Sequence, residues 1–150
     1  MIKIIIVIDS YKHFETSILE YEKRLWKSVQ VVKIKPEKNW STQEIIDKET
    51  QKIIEKLQKE KGYKVVLNPV WKEYTTEQFL DLVEKSQKEL ANIVFIIGWA
   101  YGPNYEILKP HVDSSLSLGK MTFPHPMAFT LLLEQCYRVG MIKAWKSYHK

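Results

Sequence analysis

The sequence predicts an α/β fold in which helices cover both faces of a parallel sheet. Short runs rich in β-branched residues alternate along the chain with longer stretches whose apolar residues recur at helical spacing. The first run, residues 1–8, is almost entirely aliphatic, as is typical of a strand buried on both faces. With 150 residues, 45% hydrophobic and 27% charged, the chain has the size and composition of one globular domain, residues 1–150.

The predicted strands are runs of aliphatic residues that end at turn signals. Pro36 follows the second run, Asn68 and Pro69 follow the third, and Gly98 follows the fourth. The runs are residues 1–8, 29–34, 65–67, 93–97 and 116–122.

Capping signals and helical periodicity predict the helices between these strands. Ser41 with Glu44, and Thr75 with Gln78, form capping boxes that open the second and third helices. A short helix precedes Pro110, and Pro126 stands where a last helix begins. Apolar residues at helical spacing are Ile18, Tyr21 and Leu25, then Ile45, Ile46, Ile53, Ile54 and Leu57, then Phe79, Val83 and Leu90, and finally Phe129, Leu132, Leu133, Cys136, Tyr137 and Gly140.

The apolar stripe of the last helix is wider than one sheet face needs. It therefore predicts a homodimer built largely on that helix.

Cysteine and histidine usage argues against disulfides and metal sites. Cys136 is the only cysteine, which favours a reducing, cytoplasmic setting. The four histidines lack metal-ligand spacing, so no metal is expected. The apolar start is too short for a signal peptide, and no run approaches the roughly 18 residues of a membrane span.

Positive charge is concentrated near the carboxyl terminus. The net charge of the chain is +5, and the last 31 positions contain five basic residues and only one acidic residue, Glu134. This basic tail is compatible with an RNA partner and equally with a solvated surface. Its basic residues are Lys120, Arg138, Lys143, Lys146 and Lys150.

Ligand chemistry is expected at the carboxyl ends of the strands, as in other open α/β sheets. Three segments qualify: the turn after Leu67, the glycine turn after Ile97, and residues 118–124. The glycine turn is no phosphate loop, because it lacks the Lys-Ser/Thr pair. No serine lies in a nucleophile-elbow pattern, which argues against a hydrolase.

A set of short motifs along the whole chain resembles the RlmH family, the SPOUT-class methyltransferases that act on N3 of a pseudouridine in helix 69 of 23S ribosomal RNA. The motifs are specific through their joint occurrence and order. They are Glu20-Tyr21-Glu22-Lys23-Arg24-Leu25, Ile96-Ile97-Gly98, Leu116-Ser117-Leu118, Met121-Thr122-Phe123-Pro124-His125, Leu132-Leu133-Glu134-Gln135 with Tyr137-Arg138, and Tyr148-His149-Lys150.

The resemblance implies a carboxyl-terminal trefoil knot, a homodimer, and S-adenosyl-L-methionine bound in the knot. It implies His149 as the general base, with Tyr148 orienting or stacking on the target base, and His125 shaping the cofactor loop. The implied RNA contacts are Arg138, Lys143, Lys146 and Lys150. The implied cofactor contacts are Leu67, Gly98, Gly102, Leu118, Gly119, Lys120, Met121, Thr122, Phe123 and Pro124.

The chain departs from the family pattern around the implied cofactor site. Trp99 stands where the family has a second glycine, and Phe129 where it has an arginine. Other differences fall at Asp9-Ser10, in the turn after Leu67, at Gly119, and at Trp145-Lys146-Ser147. Two alternatives therefore stand beside an active methyltransferase: a non-catalytic knotted homodimer that binds rRNA or assists ribosome assembly, and a generic nucleotide-binding α/β domain.

Trp99 carries the sharpest expectation. A side chain at this turn is expected either to force a strained backbone conformation or to place its indole in the adenosine pocket. The cofactor would then bind at least about tenfold more weakly than to a Trp99→Gly variant. The opposite expectation is that the indole stacks on the adenine and contributes affinity.

Overall fold

Five parallel strands form the sheet in the computed structural model of this chain, which describes residues 1–148. The spatial order is β2-β1-β4-β3-β5, and every neighbouring pair is parallel. The predicted α/β fold is therefore confirmed. The strands are β1 (Ile2–Val7), β2 (Val29–Ile34), β3 (Tyr63–Leu67), β4 (Ile93–Ile97) and β5 (Ser114–Leu116).

Both predicted capping boxes are present. Ser41 Oγ accepts the N–H of Glu44, whose carboxylate accepts the N–H of Ser41; Thr75 and Gln78 do the same at the next helix. The helices are α1 (Glu15–Leu25), α2 (Thr42–Leu57), α3 (Thr76–Leu90), α4 (Tyr105–Leu108) and α5 (His125–Lys143), with 3-10 turns at Lys12–Phe14 and Lys109–His111.

Helices cover the sheet on both faces. Ile4 and Phe95 point into the layer formed by α1, α3 and α5, whereas Ile5 and Ile96 point into the layer formed by α2 and α4. This alternation explains why β1 and β4 are apolar along almost their whole length. Among residues 1–148, no helix is both long and apolar enough to cross a bilayer.

The apolar stripe of α5 is used inside the protomer. Phe129, Leu132, Leu133 and Cys136 are all buried, because α5 packs between the sheet and helices α1 and α3. The width of the stripe thus follows from contacts with two helices as well as a sheet, and these four residues are covered without a second chain.

The fifth strand differs from its prediction. It spans Ser114–Leu116 rather than residues 116–122. The N–H of Asn68 donates to the carbonyl of Leu116 at 2.9 Å, but the next residue, Ser117, donates its N–H to Lys72 in the loop after β3. The chain therefore leaves the sheet at Ser117, and the following residues form a loop at the carboxyl edge.

Candidate functional site

A cleft of about 690 Å³ opens at the carboxyl ends of β3, β4 and β5. It is formed by the three loops that follow these strands and by the first turn of α5. Its volume lies in the range of small-molecule sites. The lining residues are Lys12, Leu67, Asn68, Pro69, Ile97, Gly98, Trp99, Ala100, Tyr101, Gly102, Tyr105, Leu116, Leu118, Gly119, Met121, Thr122, Phe123, Pro124, His125 and Ala128.

Buried hydrogen bonds join the loops after β3 and β5. Ser117 is 3% exposed, and its Oγ lies 2.7 Å from the carbonyl oxygen of Gly119 and 3.2 Å from that of Pro69. The same Oγ accepts the N–H of Gly119. Asn68 is also buried, and its Oδ1 accepts the N–H of Val70 at 3.1 Å. The two loops are therefore positioned relative to each other before any ligand binds.

The glycine turn after β4 requires glycine at two positions. A Cβ on Gly98 would lie 2.6 Å from Cδ of Pro103, closer than packed atoms approach. Gly102 has a φ of +70°, and its N–H donates to the carbonyl of Trp99 at 2.8 Å. Trp99 itself is outside the left-handed region. The expectation of a strained backbone at Trp99 is therefore wrong, since Gly102 takes the positive φ.

The indole of Trp99 lies on the cleft wall against His125. The two ring centroids are 3.8 Å apart with planes tilted by 40°. Nε2 of His125 is buried and has no hydrogen-bond partner among the described groups. Burial lowers the pKa of His125 to about 4, with a further lowering from Lys12 and an opposing effect of Asp9. The imidazole is therefore neutral at pH 7.

Tyr105, at the start of α4, closes the floor of the cleft. Its hydroxyl donates to the carbonyl oxygen of Leu67 at 3.3 Å, and burial raises the pKa of this phenol to about 12. The preceding residue, Asn104, donates its N–H to Thr50 of α2 at 2.8 Å. Tyr105 thus links the loop after β4 to the end of β3 while remaining protonated.

The cleft gathers almost all of the predicted cofactor residues. Leu67, Gly98, Gly102, Leu118, Gly119, Met121, Thr122, Phe123 and Pro124 line it, and Lys120 does not. Lys12, Asn68, Tyr101 and Tyr105 also line it, although none of them is among the predicted site residues. A signal for Tyr105 was its position three residues after Gly102, where a turn returns the chain to the sheet edge.

Tyr148 lies on the outer surface of α5, away from the cleft lining. Its hydroxyl donates to Glu134 at 3.3 Å, and its ring meets that of Tyr137 edge-on at 5.0 Å. Arg138 forms an ion pair with the same Glu134 at 2.7 Å. Arg138 is thirteen residues beyond His125, about 20 Å along the helix.

The other predicted tail residues are distributed around the end of α5. Nζ of Lys143 donates to Gln87 of α3 at 3.2 Å, and Lys146 is exposed. His149 and Lys150 lie outside the described residues. One protomer therefore does not bring the described tail residues to its own cleft.

Metal-ligand clusters and a reactive thiol are both absent from the part of the chain that the structure describes. Residues 1–148 contain no cluster of three or more His, Cys, Asp or Glu side chains placed to hold a metal. Cys136 is fully buried, and burial raises the pKa of its thiol to about 12. This thiol is therefore unsuited to nucleophilic chemistry.

A family model described as "Predicted SPOUT methyltransferase" matches residues 1–149. The chain belongs to the SPOUT methyltransferase family. The match confirms the family and the enzyme class that the motifs predicted.

Curated relatives of this SPOUT methyltransferase carry the name "Ribosomal RNA large subunit methyltransferase H". The protein from Caldicellulosiruptor bescii is 36% identical over the full length of both chains. Those from Lactiplantibacillus plantarum and Clostridium botulinum are 35% and 34% identical, and each alignment covers 93% of this chain and 92% of the relative. The cleft therefore lies in a chain that matches these methyltransferases over at least 92% of their length.

Proposed function

We propose that this SPOUT methyltransferase uses S-adenosyl-L-methionine to methylate 23S ribosomal RNA, at N3 of a pseudouridine in helix 69. The observation that carries the proposal is the convergence of three loops, distant in sequence, on one cleft at the carboxyl ends of β3, β4 and β5. The name shared by the relatives supports a large-subunit rRNA as the substrate.

The cleft suits a nucleoside-sized cofactor. Its volume is sufficient, its loops are held by Ser117 and Gly98, and none of its described lining residues is Asp or Glu. Leu67, Gly98, Gly102 and residues 118–124 would hold the cofactor, which supplies an electrophilic methyl group when bound. The residues of this chain would exclude water and hold the acceptor nitrogen in line with the methyl group. Lys120, the remaining residue of that segment, is not among the lining residues.

We propose that His149 is the general base of the reaction. As N3 of the pseudouridine gains a methyl group it must lose its proton, which lies between two carbonyls. An imidazole titrating near neutrality can accept that proton. Tyr148 would orient the target nucleobase by stacking or hydrogen bonding.

We propose that the site is completed across a homodimer. Arg138 lies on the far part of α5, and Tyr148, which follows the helix, packs against the same part through Glu134, so their own protomer does not supply them to its cleft. Tyr101 and Met121, at the cleft, are 58% and 77% exposed. A second copy that covers these apolar side chains would bring its tail to this cleft.

We further propose that residues 1–150 form one domain with the trefoil knot of the family. The topology supports the knot: β5 is an edge strand, yet the chain that leaves it packs as α5 between α1 and α3.

Arg138, Lys143, Lys146 and Lys150 would neutralise RNA phosphates. A ribosomal substrate implies a cytoplasmic protein.

Incorporation of tritiated methyl from S-adenosyl-L-methionine into ribosomes that lack the modification tests the proposal. We expect incorporation that maps to helix 69. Binding of rRNA without incorporation would instead support the non-catalytic alternative. Failure to bind the cofactor would remove the proposed activity altogether.

Mixed dimers test the shared site. At cofactor concentrations well below the dissociation constant of the variant, Gly98→Ala should disable the cleft, and His149→Ala should disable the tail. If the tail acts on the partner's cleft, dimers re-formed from equal amounts of the two inactive variants should recover about a quarter of the wild-type activity, because half of the dimers contain one intact site. A monomeric mass in sedimentation equilibrium at micromolar concentration would contradict the dimer.

A further inference from the structure

The chemistry of the cleft wall is set by its aromatic residues. Trp99, Tyr101, Tyr105 and Phe123 all line the cleft. The lining includes no carboxylate among the described residues. Such a wall recognises a planar ring through stacking and van der Waals contact and leaves polar recognition to backbone groups.

Trp99 is a fixed part of this wall. Its indole packs against both core clusters of the protein and contacts the ring of His125. The closed turn from Trp99 to Gly102 holds its backbone without a positive φ at the tryptophan. The indole is therefore preorganised, and a ligand that stacks on it loses little side-chain entropy to the protein.

Charge around the indole distinguishes two parts of the proposed cofactor. Nζ of Lys12 lies 5.9 Å from the centre of the Trp99 ring, and Lys12 lines the cleft from a backbone with a φ of +50°. His125, on the same wall, is neutral. A second cation on this indole would be repelled by the ammonium group of Lys12. The neutral purine is thus the better partner of Trp99, and the sulfonium the poorer one.

We propose that Trp99, backed by His125, is the stacking platform for the purine ring of the cofactor and determines the affinity of this cleft for adenine nucleosides. This proposal rests on the proposed function, because it assumes that the cleft binds S-adenosyl-L-methionine. In this proposal the indole of Trp99 increases cofactor affinity and does not obstruct the cleft. The charge of Lys12 keeps the sulfonium away from this wall.

The test is calorimetry with three probes: S-adenosyl-L-methionine, S-adenosyl-L-homocysteine and adenosine. Only the first carries the sulfonium charge, and all three carry the purine. We expect Trp99→Gly to weaken binding of all three by a similar factor of about 3 to 10. Trp99→Phe, which keeps an aromatic ring and a folded turn, should stay within about twofold of wild type.

Trp71→Ala is the matched control, because Trp71 lies in the loop after β3, is half exposed and does not line the cleft. It should leave all three affinities unchanged. Tighter binding by Trp99→Gly would overturn the proposal, since the indole would then obstruct the cleft. Weakening confined to S-adenosyl-L-methionine would overturn the purine assignment in favour of the sulfonium.

A failure of the Trp99 role can be told apart from a failure of the methyltransferase function. Unchanged affinities in Trp99→Gly, with wild type still binding S-adenosyl-L-methionine, would overturn the role of Trp99 and leave the methyltransferase proposal standing. Absence of binding of all three probes by wild type would overturn both.

Discussion

The cleft and the carboxyl-terminal tail differ in how their residues are held. In the cleft, backbone groups and close packing do the positioning: Ser117 Oγ joins two loops, and Gly98 lies against Pro103. In the tail, side chains on the surface of α5 interact through charges and rings, as Arg138 does with Glu134 and Tyr148. The first arrangement depends on backbone positions and the second on side-chain positions.

This difference explains which region suits which task. A small cofactor needs a preformed shape, because each misplaced loop atom costs affinity. A large polyanion is bound by several exposed charges, whose individual geometry matters less. We therefore expect cofactor binding in the cleft to depend on side-chain volume and RNA binding by the tail to depend on charge. His149 is the exception in the tail, because it is proposed as the general base.

The largest expected effect is that of His149→Ala. It should lower methyl transfer to ribosomes by roughly 10² to 10⁴ fold, as loss of a general base typically does, and leave cofactor affinity nearly unchanged. Single-turnover assays with tritiated cofactor measure it. His13→Ala, a change of an exposed histidine outside the cleft lining, is the control. Wild-type turnover by His149→Ala would show that this residue has no catalytic role.

A methyl group added to a glycine in each region compares the two directly. In Gly98→Ala the new Cβ meets Pro103, so the turn must shift; we expect cofactor affinity to fall at least about tenfold and stability by about 1–3 kcal/mol. In Gly140→Ala, within α5, no atom apart from the neighbouring residues and the local helix backbone lies within 4 Å of the new Cβ, and we expect a gain of about 0.5–1 kcal/mol. Urea unfolding and calorimetry measure both. If both variants changed stability and cofactor affinity equally, the proposed difference between the cleft and the tail would be wrong.

Removing charge from the tail should change the salt dependence of binding. Lys143→Ala with Lys146→Ala should flatten the slope of log K against log salt for an rRNA fragment by up to about two. Lys56→Ala with Lys59→Ala removes the same charge elsewhere, from two exposed lysines in the last turn of α2 and just after it. If both pairs change the slope equally, the tail has no special role in RNA binding.

The smallest expected effect concerns stability against pH. His125 has a folded-state pKa of about 4 against an ordinary 6.5, so between these values the unfolded chain binds a proton that the native protein does not. Stability is therefore full above pH 6.5 and falls as the pH drops towards 4, by about 1 kcal/mol after allowance for partial exposure. Urea midpoints at pH 7.5 and 4.5 measure it. His125→Gln should show a shallower decline, and an equal decline in both proteins would exclude this origin.

Local signals in the sequence predicted most elements correctly. The capping boxes at Ser41 and Thr75 and the aliphatic runs of β1, β2 and β4 are confirmed, because caps and periodicity involve residues close together in the chain. The end of β5 was missed. Whether residues after Leu116 continue a strand depends on a partner strand, and Ser117 bonds instead to the loop after β3.

The sequence by itself determined the strand and helix order, the family and the segments that meet in the cleft, because hydrophobic periodicity, capping residues and short motifs are properties of contiguous residues. Only the tertiary structure decided that Trp99 has no positive φ, that Tyr105 bonds to Leu67 and that the stripe of α5 is covered within the protomer. Each of these depends on packing between segments far apart in the chain. The free energy of such contacts is set by the neighbours that the fold supplies, and no local pattern contains it.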